Sequence, residues 1–315
     1  MKRVFICLCL LPFTSFGNEM EILRDAEQIF EAMRITCSGI SDEISKVSNI
    51  SKVNTAVTAV GTAAAGGALV AGIKKSQEEE EIDKLVDEIC AAGGCSAEGV
   101  NAMSDETFFK SVMQPMAQIT ELQNRIDKSK QLGNWRTSLL AGTIGTNLAS
   151  AIMSGLNVNQ SELAQHVSAC NEMIKSIPDM ENELRKAGVN PNEHQIVKKL
   201  SNVRTWCNQL DVKDIEKIEK RMKGVMGTSI AGTAIGVVGV GTSAAANSDK
   251  YMNVENKLNL SDADKKKEKA LNTTANVMAG ANVATGAVET GLNISLITLT
   301  KRLMESAGRC EDVLQ

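Results

Sequence analysis

The side chains best suited to chemistry in this sequence are its cysteines and its histidines, and their spacing limits what each can do. Cys37, Cys90, Cys95, Cys170, Cys207 and Cys310 are scattered, and none of them forms the paired CxxC and histidine spacings of a zinc site. CAAGGC, at 90–95, holds its two cysteines too far apart for a redox CxxC motif and reads as a local structural bridge. His166 stands four residues before Cys170, the separation at which an imidazole on a helix would activate a thiolate. No third group supports that chemistry, and a boundary histidine beside a disulfide is the commoner arrangement. His194 lies in a separate helix. GVGTSA, at 239–244, fits the dinucleotide pattern GxGxxA. A real fingerprint joins a strand to a helix, whereas these glycines continue a four-residue spacing inside a helical run. GKS or GKT phosphate loops, GxSxG elbows and HExxH helices do not occur. The sequence therefore offers no catalytic, cofactor-binding or metal-ligating constellation, and no enzyme activity or cofactor is expected.

What must position the cysteines is a matter of compartment and repeat. MKRVFICLCLLPFTSFG, at 1–17, has Lys2 and Arg3, a short apolar core, and Ser15 and Gly17 at the small positions before a cut. This is the pattern of a secretory signal peptide, with the mature chain starting at Asn18. Cys7 and Cys9 fall in that apolar core; the remaining even set favours disulfides in an oxidising compartment. The formal net charge of −4 becomes more negative once Lys2 and Arg3 are removed, so the composition does not support a basic surface for phosphate backbones. With one Tyr and two Trp there are no stacking platforms for bases either.

The chain echoes itself. EAMRITC at 31–37 matches SNVRTWC at 201–207 in its Arg and Cys; GTA recurs at 61–63 and 232–234; LLAGTIGTN at 139–147 is echoed by VMAGANVAT at 277–285. Each late echo is followed, at a similar distance, by Cys170 or Cys310. The shared order predicts two copies of one unit, 18–188 and 189–315, the first carrying an insertion over about 74–134. Equivalent copies make equivalent bridges: Cys37 with Cys170, Cys207 with Cys310, and the local pair Cys90 with Cys95.

Few prolines, few aromatics and no sustained alternation argue against a sheet. The expected fold is an all-α, disulfide-closed, duplicated bundle of long paired helices. Four uncharged runs stand out, at 53–73, 137–161, 224–248 and 270–288. Each carries small residues at four-residue spacing: Ala59, Ala63, Gly67 and Ala71 in the first; Gly142, Thr146 and Ser150 in the second; Thr228, Gly232 and Gly236 in the third; Ala275 and Ala279 in the fourth. Such rows let helix backbones approach closely, as glycine zippers do in membranes. The runs are long enough to cross a bilayer, but Thr, Ser, Asn, Gly and Ala dominate them. The expected role is that of an exported structural or interaction protein, periplasmic or secreted, whose partner is another protein or an envelope surface. The alternative is a membrane-inserting or pore-forming protein that uses its glycine-rich hairpins.

Overall fold

The computed structural model describes residues 19–91, 105–157, 159–190 and 194–315, and every regular element among them is helical. The order is α1 Glu19–Cys37, α2 Ile40–Ala91, α3 Asp105–Leu156, α4 Ser161–Lys186, α5 Gln195–Cys207, α6 Val212–Ala246, α7 Val254–Leu258 and α8 Asp262–Leu314. The leader expected over 1–17 and the expected bridge to Cys95 fall outside the described residues.

Glycine punctuates these helices where the backbone turns left-handed. Gly39, between α1 and α2, has φ 81°, and Gly188, just past α4, has φ 83°. After Gly188 the Val189 N–H donates to Leu184 at 3.0 Å and the Gly188 N–H to Arg185 at 3.1 Å, which occupies carbonyls the helix end would otherwise orphan.

Along the long helices burial follows one rhythm. From Glu268 to Leu314 the buried residues of α8 are separated alternately by four and three residues; from Ile215 to Ala246 those of α6 do the same, as do those of α3 from Leu122 to Ser154, where Ala151 is an additional buried residue. A mean spacing of 3.5 is the heptad, in which the buried seam keeps facing its neighbours as helices wind around one another left-handedly.

The chain divides into two compact units, each drawing on both halves of the sequence. Unit 1 comprises Met1–Lys46, Gln160–Lys217 and Leu299–Gln315; unit 2 comprises Val47–Asn159 and Ile218–Thr298. Unit 1 has a conventional interior: Met33, Val167, Ile177, Leu200, Val203 and Leu303 are buried, and charged residues such as Glu31, Arg34 and Lys186 lie outside. Packing of α1, α4 and α5 on one another is closed by two disulfides, Cys37–Cys170 and Cys207–Cys310.

Unit 2 is built from α2, α3, α6 and α8 running alternately up and down. Asn54 of α2 meets Ser154 of α3 and Lys75 meets Ser129; Ser229 of α6 meets Ser150 of α3; Thr58 of α2 meets Glu289 of α8 and Glu79 meets Asn272. Neighbouring helices are therefore antiparallel.

The bridges close chain segments of 133 and 103 residues, for which the loss of a disulfide costs about 2–5 kcal/mol. A Cys207→Ser, Cys310→Ser chain is expected to unfold at a markedly lower thermal midpoint in calorimetry. An unchanged midpoint would remove this bridge from what holds unit 1.

Candidate functional site: the polar interior of unit 2

In unit 2 the heptad seam changes character along its length. Where it begins, Val47, Ile218, Met222, Val225 and Leu296 are buried, as in an ordinary bundle. At the other extreme Ile82, Val86, Ile89, Leu122, Ile126, Tyr251 and Met252 form an apolar cluster. Between them the buried positions are occupied by Asn54, Thr58, Thr143, Asn147, Ser150, Ser229, Asn282 and Glu289, with glycines, alanines and Leu140 among them.

The polar side chains bond across helices. Asn54 Nδ2 donates to Ser154 Oγ at 2.8 Å, Thr58 Oγ1 to Glu289 Oε1 at 2.9 Å, and Ser150 Oγ to the same carboxylate oxygen; Ser229 Oγ donates to Ser150 Oγ at 3.2 Å. Farther along, Arg136 donates from Nε to Ser243 Oγ at 2.8 Å, from Nη1 to Asn276 Oδ1 at 3.1 Å and from Nη2 to Asn272 Oδ1 at 2.8 Å. Lys75 pairs with Glu79 and donates to Ser129 Oγ at 3.2 Å, and Asn272 Nδ2 donates to the second oxygen of Glu79. Burial pushes the Lys75 ammonium below its ordinary value, against the pull of Glu79. Lys257 Nζ holds Glu268 through both carboxylate oxygens, at 2.8 and 2.7 Å; burial nevertheless pushes Glu268 above the usual carboxylate range, and Lys257 only partly offsets it.

Outside this polar interior the helix surfaces are aliphatic. Val60 and Val70 of α2, Leu148 and Ile152 of α3, Val237 and Val238 of α6, and Val277 and Val288 of α8 are between 48% and 63% exposed. Three helical stretches, within 20–91, 117–186 and 195–246, are long and apolar enough to cross a membrane by length and composition, and only 33%, 28% and 28% of their most apolar 18-residue windows is buried. Hydroxyls on this surface bond back into their own helices: Thr62 Oγ1 donates to Thr58 at 2.8 Å, Thr242 to Val238 at 2.9 Å and Thr290 to Gly286 at 2.8 Å. The pattern inverts that of a water-soluble bundle over one stretch. On either side, buried aliphatics and exposed charges return.

The small-residue rows read from the sequence are only partly at the helix contacts. Gly232, Gly236, Ala275, Ala279, Ser150 and Ala71 are buried, and Gly67, Thr146 and Thr228 are half-buried. Ala59, Ala63 and Gly142 are exposed, which corrects their assignment to a packing row. A strict four-residue row drifts around the helix, whereas the seam steps by three and four. Close approaches occur both within the rows and outside them: a Cβ at Gly232 would strike Asn147 and one at Gly236 would strike Ile144, while outside the rows one at Gly61 would strike Thr146 and one at Gly286 would strike Thr62 and come within 3.5 Å of its Cα.

The remaining candidates for chemistry are accounted for. Cys37, Cys170 and Cys310 place their sulfurs within 4.8 Å of one another, but each is already in a disulfide. His166 has no thiol to activate at Cys170; its Nδ1 lies 3.5 Å from Glu43. GVGTSA lies inside α6, with Gly239 against Leu140 and Met278. No family model matches the chain, and no curated protein or solved structure matches it. The polar seam inside an aliphatic surface was not anticipated. Its signal was present in the three-and-four spacing of Asn, Ser, Thr and Gly.

The two glycine environments separate in a stability measurement. Gly286→Ala is expected to cost about 1–3 kcal/mol through overpacking against Thr62. Gly142→Ala meets nothing within 4 Å and is expected to be neutral or to stabilise by up to about 1 kcal/mol through helix propensity. Equal effects in denaturant titrations would contradict the seam described.

Glu268 generates a pH prediction. Because its folded value is raised, the fold holds that proton more tightly than the unfolded chain does. The contribution is complete below the unfolded value near 4.5 and is lost as pH rises through the elevated folded value. Thermal midpoints measured from acid towards neutral pH should carry this downward component in the native chain and lack it in Glu268→Gln.

Proposed function

We propose that this chain is an exported, membrane-inserting protein in which α2, α3, α6 and α8 cross the bilayer through unit 2, their polar seam inside and their aliphatic faces on lipid. One observation carries the reading: over a single continuous stretch, polar and apolar residues exchange places relative to an aqueous bundle. Lipid tails offer no hydrogen bonds, so charged and polar groups at that depth turn inward and pair with one another. The dimensions agree. Between Lys52 and Lys74 the uncharged part of α2 rises about 32 Å at the helical 1.5 Å per residue, close to the hydrocarbon thickness of a bilayer. Trp135, 62% exposed beside the buried Arg136, suits the aromatic belt at a membrane–water interface.

In this reading α2 with α3 and α6 with α8 are the two repeated hairpins, each closed by its own disulfide, and the bridges suit an oxidising, extracytoplasmic compartment. Unit 1, with its apolar interior and charged surface, stands in water. No reaction is assigned to either unit. The role is that of a polar-cored helical assembly in a membrane, of the pore-forming rather than the enzymatic kind.

Purified oxidised protein mixed with phospholipid vesicles should float with them and stay with the membrane after a carbonate wash. Single cysteines replacing Val60, Leu148 and Val237 should then resist a water-soluble maleimide that labels a cysteine at Glu78. Protein left in the soluble fraction, with those positions reactive, would sink the membrane reading and return the aliphatic faces to a protein partner.

A further inference from the structure

Glu289 directly follows the uncharged run 270–288 and is the only charged residue of α8 between Lys269 and Lys301. It is 1% exposed and is surrounded by neutral dipoles: Thr58 and Ser150 donate to its Oε1, and Ser229 stands behind Ser150. None of the ion pairs among the described residues includes it, in contrast to Glu79 with Lys75 and Glu268 with Lys257. One helical turn from Glu289 on the same buried seam, Asn293 is 0% exposed, and neither of its carboxamide atoms has a hydrogen-bond partner. Asn54, one turn from Thr58 and 2% exposed, uses its Nδ2 on Ser154 and leaves Oδ1 without a partner.

Burying a carboxylate among neutral groups is costly, and burying unpaired carboxamides adds to the cost. Both penalties are relieved by a positive charge that accepts oxygen ligands. The donors are a carboxylate, hydroxyls and carboxamide carbonyls, all hard oxygens, which suit alkali or alkaline-earth cations and not a soft transition metal. A single carboxylate balances one positive charge. Calcium sites gather several anionic oxygens, and magnesium keeps much of its water shell in a near-ideal octahedron, for which this seam of packed side chains provides neither charge nor space.

We propose that Glu289, with Thr58, Ser150, Asn54 and Asn293, binds a partly dehydrated monovalent alkali cation in the interior of unit 2. The inference deepens the membrane reading and rests on it for its purpose: a hydrophilic step on which a small cation sheds water inside the bilayer.

The test uses the full-length oxidised protein in detergent micelles, titrated with sodium chloride and potassium chloride against N-methylglucamine chloride at equal ionic strength. The thermal midpoint is followed by circular dichroism. A ligand that binds only the folded state raises that midpoint. A saturable rise is expected with at least one alkali chloride and not with the organic cation. Glu289→Gln should weaken its apparent affinity by on the order of tenfold or more. Thr58→Val and Asn293→Leu keep the carboxylate, should weaken the response less, and carry the test if Glu289→Gln does not fold. An equal response to the organic cation, an undiminished response in all three variants, or a response that follows pH and not the metal ion would overturn the site. Vesicle flotation of the same preparation reads the membrane proposal separately. Flotation without a cation response overturns only the site, and a cation response without flotation supports the site and removes the bilayer from the account.

Discussion

A polar side chain enclosed by four helices is stabilised by a hydrogen bond on another helix, and unit 2 makes such bonds at successive levels of the seam. Asn54 reaches Ser154, Thr58 and Ser150 reach Glu289, and Arg136 spreads its guanidinium over Ser243, Asn272 and Asn276. Each contact is directional, so sliding one helix by a turn would break together all the contacts that helix makes. An apolar seam of the same shape would tolerate such a slip more cheaply. The glycines at 61, 232 and 286 serve the same end by bringing the backbones close enough for short side chains to meet.

The apolar clusters that flank this seam hold it by a different principle. Ile82, Val86, Ile89, Leu122 and Ile126 exclude water, with Lys84, Asp87 and Lys128 turned outward. Here area burial, at about 25 cal/mol per Å², is the dominant favourable term. In the polar stretch that term is small inside the bundle and depends on what covers the valines and leucines outside. One helix, α2, thus carries both logics in succession.

The helical class was legible because its determinants are local: scarce proline, no strand-like alternation, and glycines such as Gly188 that end helices. The uncharged runs were legible for the same reason. Which small residues touch was not. Ala59 and Ala63 are spaced as a packing row but lie on the exposed side, because winding of the helices around one another selects a 3.5-residue period over a four-residue one. Glu289 and the asparagines near it count against a membrane segment when residues are summed along α8, since a sum carries no direction. Placed by face, all of them point inward.

The two disulfides set a covalent topology whose reach goes beyond unit 1. Cys37–Cys170 encloses the whole of α2 and α3, and Cys207–Cys310 encloses α6, α7 and α8 up to Cys310. The two rings share no residue and are joined in sequence only through 171–206. A protease that cuts once within either ring opens it without releasing a fragment, while a cut in the connecting segment separates the chain into two pieces, each retaining its complete hairpin.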